Sequence, residues 1–119
     1  MTDYFVTLAD RAAFDPEQAT KSDLFRGAGL FVGLNCFEAG QAQRLHAHAG
    51  ADKFYLVVSG KARITVGATS QVVESGTIVW APADVPHGID EAIERTIVLT
   101  AIAPPPGRRD AEVPAHRRS

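Results

Sequence analysis

Gly40-Gln-Ala-Gln-Arg-Leu-His-Ala-His-Ala-Gly-Ala-Asp-Lys-Phe-Tyr-Leu-Val-Val-Ser-Gly60 holds two histidines spaced by one residue, His46 and His48. Side chains alternate faces along a strand, so an extended backbone aims both imidazoles at one point, where they can hold a metal. Phe54 to Val58 is an apolar, β-branched run closed by Ser59-Gly60, the pattern of a buried strand ending in a turn. Further on, Gly76-Thr-Ile-Val-Trp-Ala-Pro-Ala-Asp-Val-Pro-His-Gly88 carries a strand from Thr77 to Ala81 into a turn at Pro82, Ala83 and Asp84. Val85-Pro86 then delivers a third imidazole, His87, at the start of another extended segment.

These two stretches resemble the paired motifs of the cupin family. The first motif is a glycine, five residues, His-x-His, three or four residues, a glutamate, six residues and a glycine. The second is a glycine, five residues, a proline, one residue, a frequent glycine, two residues, a histidine, three residues and an asparagine. Gly40, His46, His48, Gly60, Gly76, Pro82 and His87 fall in place, with fifteen residues between the motifs. Asp84 stands at the usual glycine, Glu91 at the asparagine and Lys53 at the metal-binding glutamate. The resemblance covers residues 30–103. It implies an all-β fold, a double-stranded β-helix or jelly-roll barrel, with a divalent metal held by His46, His48 and His87 and a homodimeric assembly.

The chain in order agrees with an all-β reading. Tyr4 to Leu8 alternate weakly as a first strand, Asp15-Pro16 signals a turn, and Ser22 to Arg26 is a short strand stopped by Gly27-Ala-Gly29. The resemblance suggests that residues 1–29 are exchanged with, or packed on, a partner subunit. Leu30 to Phe37 is apolar on both parities apart from Asn35, as expected where both faces are buried. Gln41 to His48 is the first ligand strand. Ala62 to Val66 and Gln71 to Glu74 flank Gly67-Ala-Thr-Ser70, which reads as a hairpin with a four-residue loop. Ile89-Asp90 continues from His87, and Thr96 to Ile102 is a final apolar strand. Residues 104–119 turn to Pro-Pro-Pro followed by an arginine-rich run, read as a mostly disordered tail that contains a solvated His116.

With 119 residues and 45% apolar content, the chain forms one domain with an ordinary core. A net charge of −2 leaves no electrostatic footprint for nucleic acid or an anionic membrane. Cys36 is the sole cysteine and is read as an inert buried residue; no signal peptide opens the sequence, so a cytoplasmic location is expected. No apolar run approaches the roughly 18 residues that span a bilayer.

Three neutral imidazoles suit Zn, Fe, Ni, Cu and, with oxygen donors, Mn, and leave open positions for water, dioxygen or substrate. Lys53 opposes this. An ammonium about 6 Å from a divalent ion, at an effective dielectric of about 20, repels it by roughly 5 kcal/mol. Three alternatives stay open: Asp52 supplies the carboxylate through a bulge; Lys53 turns away or pairs with Asp52, Asp84 or Glu91; or Lys53 is held neutral and acts as a general base. Arg44 shares the parity of the two histidines and, on a regular strand, would enter the cavity to clamp an anionic group. Tyr55 and Val57 share the parity of Lys53 and would line the cavity. Trp80 and Phe37 are assigned to the core or a subunit interface.

Two functions are compatible with these residues. One is a metal-dependent enzyme acting on a small polar or anionic molecule, with oxygenase chemistry ahead of isomerase or hydrolase chemistry. The other is a non-catalytic barrel that binds or senses a small anionic ligand without metal, Lys53 standing in for the ion's charge.

Overall fold

The structure, a computed structural model, describes residues 4–107 and the backbone of Val113–Pro114. A single helical turn, α1 (Leu8–Arg11), precedes strands β1 (Thr20–Arg26), β2 (Phe31–Phe37), β3 (Gln43–Ala47), β4 (Asp52–Ser59) and β5 (Lys61–Val66). After these come β6 (Thr69–Glu74), β7 (Ile78–Ala81), β8 (His87–Ala92), β9 (Thr96–Ala103) and β10 (Val113–Pro114). They form two five-stranded antiparallel sheets, ordered β1-β2-β9-β4-β7 and β10-β3-β8-β5-β6. This is the double-stranded β-helix expected from the motifs.

Alternation builds the core. On β4, Lys53, Tyr55 and Val57 are buried while Phe54, Leu56 and Val58 on the other face are half-buried. Phe37, Tyr55, Val57 and Val98 from one sheet meet Ala62, Ile64, Ile89 and Ala92 from the other. Burying such side chains between two sheets removes roughly 1.5–3 kcal/mol of hydrophobic cost apiece. β2 is buried on both faces from Gly33 onward, as its mixed parity predicts.

Several sequence expectations are corrected. Tyr4 to Leu8 form no strand; Tyr4 and Phe5 are exposed, and the chain makes one helical turn at Leu8 instead. A strand needs a neighbour to satisfy its backbone, and weak alternation alone supplies none. The β5–β6 hairpin closes with two residues, not four: Val66 pairs with Thr69, and Thr65 with Ser70. Gly67, at φ +60, takes the first of the two positions, where a type II′ turn favours glycine. Thr65 Oγ1 and Ser70 Oγ share a hydrogen bond at 2.5 Å, so polar residues that read as loop are paired strand. Trp80 is exposed on β7 and so is not core, whereas Phe37 is fully buried.

The first 29 residues place β1 on β2 of the same chain. In the tail, Val113 pairs with Ala47 and Pro114 with His46 along β3. Residues 108–112 and 115–119 of the tail, His116 included, lie outside the described residues.

Candidate metal centre

His46 lies on β3, His48 one residue beyond its end, and His87 begins β8 directly opposite His46. All three are buried, at 2%, 4% and 1% exposure. One ligand nitrogen from each falls within 4.8 Å of the others, and among the described residues this is the group that could hold a metal. The ring centroids of His46 and His87 are 4.4 Å apart, and that of His48 lies 5.3 and 5.6 Å from them.

Backbone carbonyls orient two of the rings. His46 Nδ1 is 2.8 Å from the Arg44 carbonyl and His87 Nδ1 is 3.0 Å from that of Val85. A carbonyl oxygen only accepts, so each Nδ1 carries the proton and each Nε2 keeps its lone pair. That is the outer support a metal-binding histidine ordinarily has. His87 Nε2 is buried and has no hydrogen-bond partner among the described residues. Burial, and then the nearby Lys53 charge, push the His87 pKa down to about 3, so its imidazole is neutral near pH 7. The donor set therefore fits a borderline divalent ion.

The two motifs are locked together at this point. Asp84 has φ +69, the left-handed conformation that accounts for glycine at this position of the motif; aspartate is among the few other residues that tolerate it. Its N–H donates to the His48 carbonyl at 3.0 Å, and its Oδ1 accepts from the Gly50 N–H at 3.3 Å. Asp52 is exposed and accepts from the Ala83 N–H at 2.9 Å, so it fastens the same turn and does not join the ligands. A regular strand places Asp52 and Lys53 on opposite faces, and β4 keeps that alternation.

Lys53 faces inward and is 2% exposed. Its Nζ lies 3.3 Å from His46 Nε2 and 4.7 Å from the centre of the Tyr55 ring. Turning away is thereby excluded. Of the three acids considered as partners, Asp52 and Asp84 hold backbone N–H groups and Glu91 is exposed, 3.9 Å from Arg63.

Arg44 is not where a regular strand would put it. The β3–β8 register shifts between Gln43 and His46. This bulge reverses the alternation, leaving Arg44 exposed and bringing Gln43 to the cavity side with the histidines. Gln43 Oε1 accepts a 2.5 Å hydrogen bond from the Tyr55 hydroxyl. Gly88 makes the bulge possible: a Cβ there would lie 2.8 Å from the Gln43 carbonyl oxygen and 3.0 Å from Leu45 Cα.

A cleft of about 590 Å³ leads inward to His48 and Lys53. Its wall includes Asn35, Thr100 and Gln43, with Lys21, Asp23 and Arg26 among the lining residues contributed by β1. Asn35 Nδ2 donates to Thr100 Oγ1 at 3.1 Å, a buried polar pair inside apolar strands. Lone polar Asn35 in the run from Leu30 to Phe37 was the available sequence signal for this wall. Lys21, Arg26, Gln43 and Thr100 had none, because their convergence depends on strand order.

A family model described as a cupin domain matches residues 33–102. An uncharacterized protein of Streptomyces coelicolor is 37% identical over 97 residues, which cover 82% of this chain and 89% of that protein. Among solved structures, TT1209 from Thermus thermophilus superposes with a TM-score of 0.79 at 30% identity, covering 84% of this chain and 96% of that one. An RmlC-like cupin protein from Desulfovibrio desulfuricans, 24% identical, gives a TM-score of 0.75 over 88% of this chain and 98% of its own.

Proposed function

The chain belongs to the cupin family, and on that premise we propose that it is a metal-dependent enzyme acting on a small anionic molecule, with oxygenase chemistry ahead of isomerase chemistry. One observation carries the metal reading: three buried histidines converge, and His46 and His87 are held by backbone carbonyls in the tautomer that turns Nε2 inward. A bound divalent ion would supply Lewis acidity and, if redox-active, a site for dioxygen. His46, His48 and His87 would hold it. The cleft supports an anionic substrate, since among the described residues Lys21, Arg26 and Lys53 outnumber Asp23 along it. Tyr55, fixed by Gln43, and the Asn35–Thr100 pair would orient the bound molecule. Lys53 is positioned to hold or move a proton at Nζ.

The test is metal content, by elemental analysis of protein purified without a histidine tag, beside His48→Ala. About one ion per chain, lost in the variant, supports the reading. Protein that stays empty after incubation with Fe, Mn, Zn, Ni and Cu salts overturns it.

A second reading is favoured by the contact between Lys53 Nζ and His46 Nε2. In it the ammonium occupies the place of the ion and the barrel binds a small anion without metal. Chelation then leaves anion binding unchanged. In either case we assign a homodimer, with Ile78 and Trp80, exposed side by side on the outer face of β7, as the surface for a second copy. Sedimentation of Trp80→Ser protein tests this: a monomer supports it, an unchanged dimer does not.

A further inference from the structure

Asn35 and Thr100 are buried, at 8% and 4% exposure, yet both border the cleft. A polar group among apolar strands is costly unless its hydrogen-bonding capacity is used. The 3.1 Å bond from Asn35 Nδ2 to Thr100 Oγ1 uses little of it. A carboxamide has two N–H donors and an accepting oxygen, and a hydroxyl that accepts still has its own proton to give. Among the described residues, Asn35 thus keeps one N–H and its Oδ1, and Thr100 keeps its O–H. Gln43 Oε1 takes the Tyr55 hydroxyl proton at 2.5 Å, which leaves both N–H groups of Gln43 Nε2 at the cleft wall. Gly33 pairs with Thr100 in the β2–β9 register and carries no side chain, so its place on β2 leaves the Thr100 hydroxyl uncovered. The result is a neutral set, several N–H and O–H donors beside one carboxamide acceptor.

We propose that Asn35, Thr100 and Gln43 form a hydroxyl-reading subsite, so that the small anion taken by the cleft is a hydroxy acid; this rests on the reading of the cleft as the place of an anionic substrate. Asn35 and Thr100 come from one sheet and Gln43 from the other, so the donors and the acceptor reach the cleft from two sides. A ligand hydroxyl both donates and accepts through one atom, giving its proton to Asn35 Oδ1 and receiving one from Gln43 Nε2 or the Thr100 hydroxyl. A carbonyl or a second carboxylate at that place only accepts, and sets oxygen against Asn35 Oδ1. An ammonium only donates, and leaves the N–H groups without an acceptor. A methyl group serves neither and shuts the polar atoms off from water. A site of this kind discriminates more strongly than an apolar pocket, because the analogue lacking the hydroxyl leaves the site's own polar groups unpaired.

The experiment is a ¹H–¹⁵N NMR titration of the full chain, supplied with diamagnetic Zn²⁺, with lactate, with propionate and with propane-1,2-diol. Lactate and propionate differ by a single hydroxyl. Lactate should bind the parent roughly tenfold more tightly than propionate does, about what two neutral hydrogen bonds contribute, and should shift the side-chain amide signals of Asn35 and Gln43. Asn35→Ala and Thr100→Val should bring the two acids to within about twofold of each other. Equal affinities in the parent overturn the proposal and leave the anionic reading standing. A preference for lactate that survives in both variants also overturns it, since the hydroxyl is then read elsewhere, for instance by the ion. Should the diol move the Asn35 and Gln43 signals while neither acid does, the hydroxy-acid proposal falls with the anionic reading and a hydroxyl subsite alone remains. If none of the three compounds moves them, the subsite and the anionic reading both fall.

Discussion

The backbone N–H of Asp84 donates to the carbonyl of His48 across 3.0 Å, so the turn that delivers His87 is fastened to the strand end that delivers His48. The spacing of the three histidines thus depends on a backbone bond made by a residue outside the donor set. Asp84 is held at φ +69. Replacing it with valine, whose branched Cβ resists that conformation, should cost about 1–3 kcal/mol in urea unfolding. Asp84→Gly relieves the conformation and gives up the bond to Gly50, so its change should stay within about 1 kcal/mol. Equal losses in both variants would show that the left-handed turn is not what the position requires.

Gly88 and Gly29 make a matched pair of alanine substitutions. At Gly88 the added methyl meets the backbone of the β3 bulge, at 2.8 Å from the Gln43 carbonyl oxygen, and backbone yields poorly. At Gly29 nothing lies within 4 Å of it. Gly88→Ala should lose about 1–3 kcal/mol and weaken metal binding as the bulge shifts away from His46. Gly29→Ala should be neutral or slightly stabilising. The urea midpoints of the two proteins decide the matter.

Stability should fall with acidity in a window set by His87. Burial and the Lys53 charge lower its pKa from 6.5 to about 3 in the folded protein. Above pH 6.5 neither state takes up a proton at this ring. Below it the unfolded chain does and the folded chain does not, so unfolding gains ground until the pH reaches about 3. Urea unfolding of metal-free protein from about pH 7 to about pH 4 should show this decline, and His87→Gln should show a shallower one. A parallel decline in both would assign the effect to other groups.

Gln43 and Arg44 should behave oppositely to what strand parity suggests. Gln43→Ala removes the acceptor of the Tyr55 hydroxyl and should cost about 1–2 kcal/mol, as should Tyr55→Phe, with a double variant costing less than the sum. Arg44→Ala removes an exposed side chain outside the cleft. Its acetate affinity, read by calorimetry on the Co²⁺-loaded protein, should match the parent. A clearly weaker acetate affinity would place Arg44 back at the ligand.

Much of this molecule was legible along the chain because its determinants are local. Period-two burial on β4 and the shared face of His46 and His48 follow from side chains alternating across an extended backbone, and that alternation is set by covalent geometry. The barrel and the convergence of His87 on that pair were implied by the resemblance of the two motifs to the cupin family. The bulge in β3 was not: it arises where β3 must pass Gly88 on a neighbouring strand, and one extra residue there exchanges Arg44 for Gln43 in the cavity. The Thr65–Ser70 hydroxyl pair likewise turned expected loop into strand only once the two strands lay in register. Lys53 shows the division most clearly. The sequence by itself determined that a cation replaces a carboxylate in the first motif and left open whether it faces the barrel interior or turns away. Only the tertiary structure decided that its ammonium lies against His46 Nε2, because that contact joins β4 to β3 from opposite sheets and depends on how the two sheets close.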